Sequence, residues 1–385
     1  MNPFLFKSPT KVRFGEGSSL ELAGLLAGLG AERPMVVSGP NVSKTPGFTA
    51  AMDALKKKGV EPVLFLKAAT DPPVEDVDEA AGILRDSGCD AVIAVGGGSP
   101  IDTAKAMSML AKNPGSVREY LFGGSKTVEN PSLPLICVPT TAGSGSEVTA
   151  ASVITDNQKG VKLSVTHENL FPRYAVIDPA LHKNMPAGIT ATTGMDALTH
   201  AIEAYVSKNA GPISDAYAEK AIKLIGANLK TAFAQPDNKE ARSTMAVASC
   251  MAATAFVNGG LGAVHGIAQS MGGIAHVAHG LANAMMLAPV MEKNLPGNLK
   301  KFSAIAFFMG ADTAKMTDEE AAKTAVEQVK ALSGFLGIPK KLSAVGVTAG
   351  MFPSIVKGTM EYRLMAVNPV KLTEDDIYDI LEKNS

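Results

Sequence analysis

At 385 residues, 46% of them apolar, the chain has the length and composition for two domains with extensive cores. Its 36 basic and 37 acidic residues give a formal net charge of −1, which leaves no electrostatic footprint for nucleic acid or an anionic membrane surface. The apolar run within residues 1–9 is too short for a signal sequence, and no uninterrupted apolar stretch reaches the roughly 20 residues of a membrane span. The expectation is a cytoplasmic protein with neither membrane nor nucleic-acid partners.

The first 180 or so residues alternate short β-branched runs with amphipathic stretches. Strands are predicted at 35–38, 63–66, 91–95 and 135–138, with helices between them at 74–87 and 101–111. Near-continuous apolar strands alternating with helices argue for a parallel sheet covered on both faces. Further strands fall at 153–155 and 175–177. The character changes near residue 185, where alanine, leucine, methionine and lysine take over, and helices are predicted at 190–208, 212–233, 239–258 and 317–336. The expected organisation is an α/β domain over 1–185 and an all-helical domain over 186–385. The 3 cysteines, Cys89, Cys137 and Cys250, lie far apart in apolar surroundings and read as reduced core thiols.

Gly96-Gly97-Gly98-Ser99-Pro100 follows the third strand and precedes a helical run that includes Asp102. This order suits a phosphate: glycines let the backbone approach the anion, and free amides at the helix start point at it. Pro100 fits the first helical turn. The motif is not the Gly-x-Gly-x-x-Gly fingerprint, and a glycine triplet alone also makes an ordinary βα turn. A second polar turn, 139–147, follows the next strand and contains Thr140, Thr141 and Ser144. Two such turns at the C-terminal ends of parallel strands favour a dinucleotide over either turn alone.

The chain has 6 histidines, and half of them, His200, His265 and His279, join Asp196 as metal candidates. Asp196 and His200 are i and i+4 on a helix, so both project from one face. His265 and His279 would lie about 21 Å apart on one straight helix and converge only if the chain folds back between them, with Gly272-Gly273 as the expected break. An Asp/His₃ set suits Fe²⁺ or Zn²⁺ better than Mg²⁺ or Ca²⁺. His167 and His182 are expected on the surface; His276 is a candidate pocket residue.

Taken together, the glycine loop with its helix to Lys105, the polar turn from Pro139 to Thr149, Gly194-Met195-Asp196-Ala197-Leu198-Thr199-His200-Ala201 and the His265/His279 segment resemble the iron-containing (group III) alcohol dehydrogenases. The resemblance runs over nearly the whole chain, in order and with the family's spacing. It implies a dehydroquinate synthase-like architecture: an N-terminal α/β dinucleotide-binding domain, an all-α C-terminal domain and a catalytic site in the cleft between them. It implies Fe²⁺, with Zn²⁺ as the alternative, held by Asp196, His200, His265 and His279, and the pyrophosphate on Gly97, Gly98 and Ser99. Gly39, Asp102, Thr140, Thr141, Ser144 and Lys162 join the cofactor site, and Thr149, Ala151, Phe256 and His276 the substrate pocket. The implied activity is NAD(P)-linked interconversion of a short alcohol and aldehyde, by a homodimer or larger homo-oligomer.

Two departures stand out. Gln269 occupies a position where most family members carry a catalytic histidine, so metal ligation is expected to survive while the proton route changes. Gly39 stands where NAD-preferring relatives often carry aspartate, so nothing negative blocks a 2′-phosphate, and no arginine grips one; NAD with NADP tolerated is the expectation. Competing readings are a zinc polyol dehydrogenase, a lyase resembling dehydroquinate synthase, and a binding protein silenced by Gln269. The lyase reading lacks the arginine cluster its anionic substrate would require.

Overall fold

The computed structural model describes residues 4–183 and 185–385. It divides into two compact units: residues 8–141 with 145–183, and residues 4–7, 142–144 and 185–385.

The first unit contains β1 (Lys11–Phe14), α1 (Leu22–Gly28), β2 (Pro34–Ser38), α2 (Pro46–Lys57), β3 (Val63–Phe65), α3 (Val74–Asp86), β4 (Ala91–Gly96), α4 (Gly98–Leu110), β5 (Leu135–Pro139), β6 (Ala151–Asp156), β7 (Val161–Thr166) and β8 (Tyr174–Ile177). Six strands form one parallel sheet in the order β1-β8-β5-β4-β2-β3, while β6 and β7 pair as a separate antiparallel hairpin. Strands β2, β4 and β5 are buried throughout, as an apolar strand covered on both faces must be. Successive residues point to opposite sides: Val36, Ile93 and Val95 pack with α1 and α2, while Met35, Val37, Val92 and Ala94 pack with α3 and α4.

From β2 the chain turns through α2 toward β3, and from β4 it turns through α4 in the opposite direction toward β5. The strand order therefore reverses between β2 and β4, and the crevice of a doubly wound sheet opens beyond their carboxyl ends. Gly39 and the glycine loop stand at those two ends.

The second unit is helical: α5 (Ala187–Val206), α6 (Pro212–Ala234), α7 (Lys239–Gly259), α8 (Ala263–Ala275), α9 (His279–Asn294), α10 (Leu299–Phe308), α11 (Asp318–Phe335), α12 (Phe352–Glu361) and α13 (Glu374–Lys383). Helix α5 runs through its core, buried from Gly194 to Val206. Asn238 caps α7, and a Thr317/Glu320 capping box starts α11, each satisfying amides that a helix start leaves unpaired. Among the described residues, no single helix is long and apolar enough to cross a membrane.

Two expectations change. Helix α8 continues through Gly272-Gly273, and the reversal comes at His276, which ends the helix in a left-handed conformation (φ 54°), with Val277 and Ala278 leading into α9. His182 is buried, its Nε2 3.1 Å from the Pro139 carbonyl at the end of β5. Its packing against β5 outweighs the loop-like local sequence. Cys89, Cys137 and Cys250 are buried, and none is joined in a disulfide.

Candidate metal centre and nucleotide cradle

Three helices of the second unit supply the metal candidates. Asp196, His200 and Glu203 stand at i, i+4 and i+7 on α5, one stripe of a buried helix. His265 lies in the first turn of α8, and His279 opens α9. The Asp196 Oδ1 atom lies 3.9 Å from His200 Nε2, 4.0 Å from His265 Nε2 and 3.8 Å from His279 Nε2. One ligand atom each from Asp196, His265 and His279 lies within 4.8 Å of the others, close enough to share an ion. The His265 ring stacks on His200 at 4.7 Å and lies 5.4 Å from His279. Phe256 of α7 packs its ring 4.5 Å from His200 and forms an apolar wall beside it.

The electrostatics suit a cation. Burial pushes the His200 imidazole down to about 3, against the pull of Asp196, so the ring is neutral at neutral pH with a lone pair to offer. Burial disfavours the Asp196 charge, yet the three imidazoles and the Asn283 amide outweigh it and hold the carboxyl below its ordinary range. Asp196 with His265 and His279, and His200 Nε2 3.9 Å from the same carboxylate oxygen, make a donor set for a borderline divalent ion, buried except on the exposed His279 side.

Two further residues complete the site. Asn283, one turn beyond His279 and fully buried, donates from Nδ2 to Asp196 Oδ1 at 2.6 Å, with Nε2 of His265 and His279 at 3.2 and 3.1 Å. Glu203 Oε2 accepts from His265 Nδ1 at 2.5 Å. The Asp-x₃-His-x₂-Glu spacing on one apolar helix is the sequence signal that marks Glu203; Asn283 has the analogous i+4 relation to His279. Gln269 follows His265 by one turn and is partly buried, and His276 is exposed at the end of α8.

The nucleotide candidates gather in the first unit. Gly97 caps α4, with Gly98 and Ser99 as its first two helical residues and Pro100 in the first turn. A side chain is not tolerated at Gly96, where a Cβ would meet Pro100 Cγ at 2.7 Å; at Gly97 it would stand 3.3 Å from Thr141 Oγ1. At Gly39 an added Cβ would sit 3.3 Å from the Ala68 carbonyl oxygen and 3.9 Å from Pro100 Cγ, so the ends of β2 and β4 line one crevice. The Thr140 amide donates to the Gly96 carbonyl at 2.9 Å and ties the polar turn to the glycine loop. Lys162 pairs with Asp71 at 2.8 Å, while the Ser99 hydroxyl accepts from the Asp71 amide at 3.2 Å. Ser144 falls in the short segment that belongs to the helical unit.

Asp102 and Thr149 are committed to a buried network. Asp102 accepts from Ser146 Oγ at 2.5 Å and from the Val153 amide at 3.0 Å. Lys105, fully buried, places all three ammonium protons on Ser146 Oγ, Thr149 Oγ1 and the Ala151 carbonyl, each at 2.8 Å. These bonds make the turn after β5 rigid against α4.

Residues 9–179 match the family described as iron-containing alcohol dehydrogenase, and residues 190–385 its C-terminal domain. The chain belongs to the iron-containing alcohol dehydrogenase family. It is an oxidoreductase acting on CH–OH groups. It is 40% identical to a choline dehydrogenase of Bacillus subtilis over 96% of this chain and 92% of that protein. It is 36% identical to an NAD-dependent methanol dehydrogenase of Bacillus methanolicus over 98% of both. A crystal structure of 1,3-propanediol oxidoreductase superposes with a TM-score of 0.96 at 35% identity, covering 100% of both chains.

Proposed function

We propose that this family member is a divalent-metal-dependent, NAD-linked dehydrogenase and aldehyde reductase of short, polar primary alcohols. The observation that carries the reading is the convergence of Asp196, His265 and His279 within 4.8 Å, with His200 Nε2 3.9 Å from the same carboxylate oxygen. Asp196, His200, His265 and His279 would hold the ion, Fe²⁺ by family membership and Zn²⁺ as the alternative. When bound, the ion supplies Lewis acidity at the substrate oxygen and the dinucleotide carries the hydride.

The remaining work falls to side chains of this protein. Gly97, Gly98 and Ser99 offer helix-start amides to the pyrophosphate, with Thr140, Thr141, Ser144 and Lys162 around the cofactor. The carboxylate oxygens of Asp102 accept protein donors, which gives Asp102 the role of shaping this cradle. Gly39 presents no acid to a ribose 2′-phosphate, so NADP is tolerated beside NAD. Phe256 keeps water from His200, and Gln269 offers an amide that hydrogen-bonds but exchanges no proton near neutral pH. Thr149, Ala151 and His276 are assigned to the neighbourhood of the substrate. Residues 1–185 act as the dinucleotide domain and 186–385 as the metal domain of a cytoplasmic homo-oligomer.

The relatives named for choline, methanol and 1,3-propanediol support a short primary alcohol. The test is oxidation of NADH and NADPH with a panel of short polar aldehydes, before and after metal removal by a chelator. Metal-dependent turnover that returns with Fe²⁺ or Zn²⁺ is expected; turnover unaffected by complete metal removal would overturn the assignment.

A further inference from the structure

The Glu203 carboxylate spans two parts of α8 at once. Its Oε2 accepts from the Nδ1–H of His265 at 2.5 Å, and its Oε1 accepts from the amide of Val264 at 2.8 Å. Val264 is the second residue of α8, so that amide is one of the four that a helix start leaves without an intrahelical partner. The amide of Ala263 is taken by Asn368 Oδ1 at 3.1 Å. Gly262 makes room for both acceptors: a Cβ there would stand 2.6 Å from Asn368 Oδ1 and 3.0 Å from Glu203 Oε1. Glu203 is itself buried, at 5% exposure. A buried carboxylate is costly unless its lone pairs are satisfied, and here both oxygens have donors.

We propose that Glu203 is a positioning residue of the metal centre, fixing the tautomer and aim of His265 and supplying the second negative charge that balances a divalent ion. A carboxylate on Nδ1 forces the ring proton to that nitrogen and turns the Nε2 lone pair toward Asp196 and His279. The Val264 bond fixes the backbone that carries the ring, so side chain and helix start are oriented by one group. An imidazole must be uncharged to ligate, so Asp196 and Glu203 together would neutralise a charge of two. The inference rests on the metal reading above.

The substitution that separates this role from simple packing is Glu203→Gln, compared with Glu203→Ala. Glutamine keeps the volume but cannot serve both neighbours. With its oxygen on the Val264 amide, its NH₂ needs a lone pair on Nδ1, which places the ring proton on Nε2 and blocks ligation. With its oxygen on Nδ1–H, its NH₂ faces the Val264 amide donor to donor. Alanine removes the carboxylate and leaves the tautomer free. Zn²⁺ affinity is measured by chelator competition on the metal-stripped full-length proteins, with the absorption spectrum of added Co²⁺ as a second readout. The proposal expects Glu203→Gln to bind at least tenfold more weakly than the native protein, no better than Glu203→Ala, with a changed Co²⁺ spectrum; outer partners of ligating histidines contribute about 10–100-fold to affinity. A packing role predicts the reverse order, and a Glu203→Gln protein that binds Zn²⁺ more tightly than Glu203→Ala overturns the proposal. Should Glu203→Ala not fold, a loss below tenfold in Glu203→Gln overturns it alone. A native protein that binds no Zn²⁺ would overturn the metal reading itself, a result distinct from normal native binding with an indifferent Glu203.

Discussion

Gly280→Ala tests how tightly the metal centre depends on helix spacing. Gly280 is the second residue of α9, directly after His279, and an added Cβ would stand 2.8 Å from the Thr192 carbonyl oxygen and 3.1 Å from its carbon. Both atoms are α5 backbone, which has no rotamer to relieve the contact. Ordinary contact begins near 3.4 Å, so the start of α9 must move about 0.6 Å from α5. Metal–ligand distances tolerate about 0.2 Å, so His279 would be carried out of range of an ion shared with Asp196. Overpacking of this kind costs about 1–3 kcal/mol, and each kcal/mol lowers Tm by about 2–4 °C in a unit of this size. The expected result is a Tm lower by about 2–12 °C and Zn²⁺ binding weakened at least about tenfold, the lower bound for misplaced ligand support. Gly334→Ala in α11 is the control: no heavy atom lies within 4 Å of its added Cβ. Alanine there should raise stability by about 0.5–1 kcal/mol. Differential scanning calorimetry and chelator competition read both variants. Unchanged Tm and Zn²⁺ affinity in Gly280→Ala would refute the argument from backbone contact.

Other outcomes follow from the same geometry. Burial raises the Glu147 carboxyl from 4.5 to about 7, against its own backbone amide and Lys105. Its protonated form is favoured by folding, so this contribution is whole below about 4.5 and lost as pH rises to about 7, on the order of 3 kcal/mol at most. The urea midpoint of the native protein should fall relative to Glu147→Gln between pH 5 and 7.5; parallel midpoints would contradict it. Lys105→Met removes three 2.8 Å bonds and the partner of Asp102, with a cost of about 3–5 kcal/mol, and should weaken NADH binding measured by fluorescence. Undiminished NADH affinity would show that the network does not shape the cradle. Gln269→His should keep the metal and add an ionisation near neutral pH to the rate profile, whereas an identical profile would remove Gln269 from the proton route.

The parallel sheet was legible because β2, β4 and β5 are buried on both faces and so read as continuous apolar runs. Strand β1, Lys-Val-Arg-Phe on an exposed edge, and β7 in the separate hairpin carry no such run and went unrecognised. Helices α8 and α9 were obscured by their glycines, and the reversal between them depends on the left-handed His276, a conformation that local sequence does not announce. The four proposed ligands were visible from spacing and resemblance, since i and i+4 on one helix is a local pattern. Glu203 and Asn283 offer spacing alone as a local signal, seven residues after Asp196 and four after His279, because the function of each lies in a contact 62 or more residues away. His182 shows the same limit: its partner is the carbonyl at the end of β5, 43 residues distant.

The central claim, that a bound ion drives alcohol–aldehyde chemistry through these side chains, is tested most directly by metal analysis on three proteins: the native chain, His265→Ala and His279→Ala. Each is loaded anaerobically with Fe²⁺, desalted and assayed for NADH oxidation with short aldehydes. The account predicts about one ion per native chain with turnover, and neither ion nor turnover in both variants. Full metal occupancy in either variant, or native turnover that persists after metal is stripped, would contradict it.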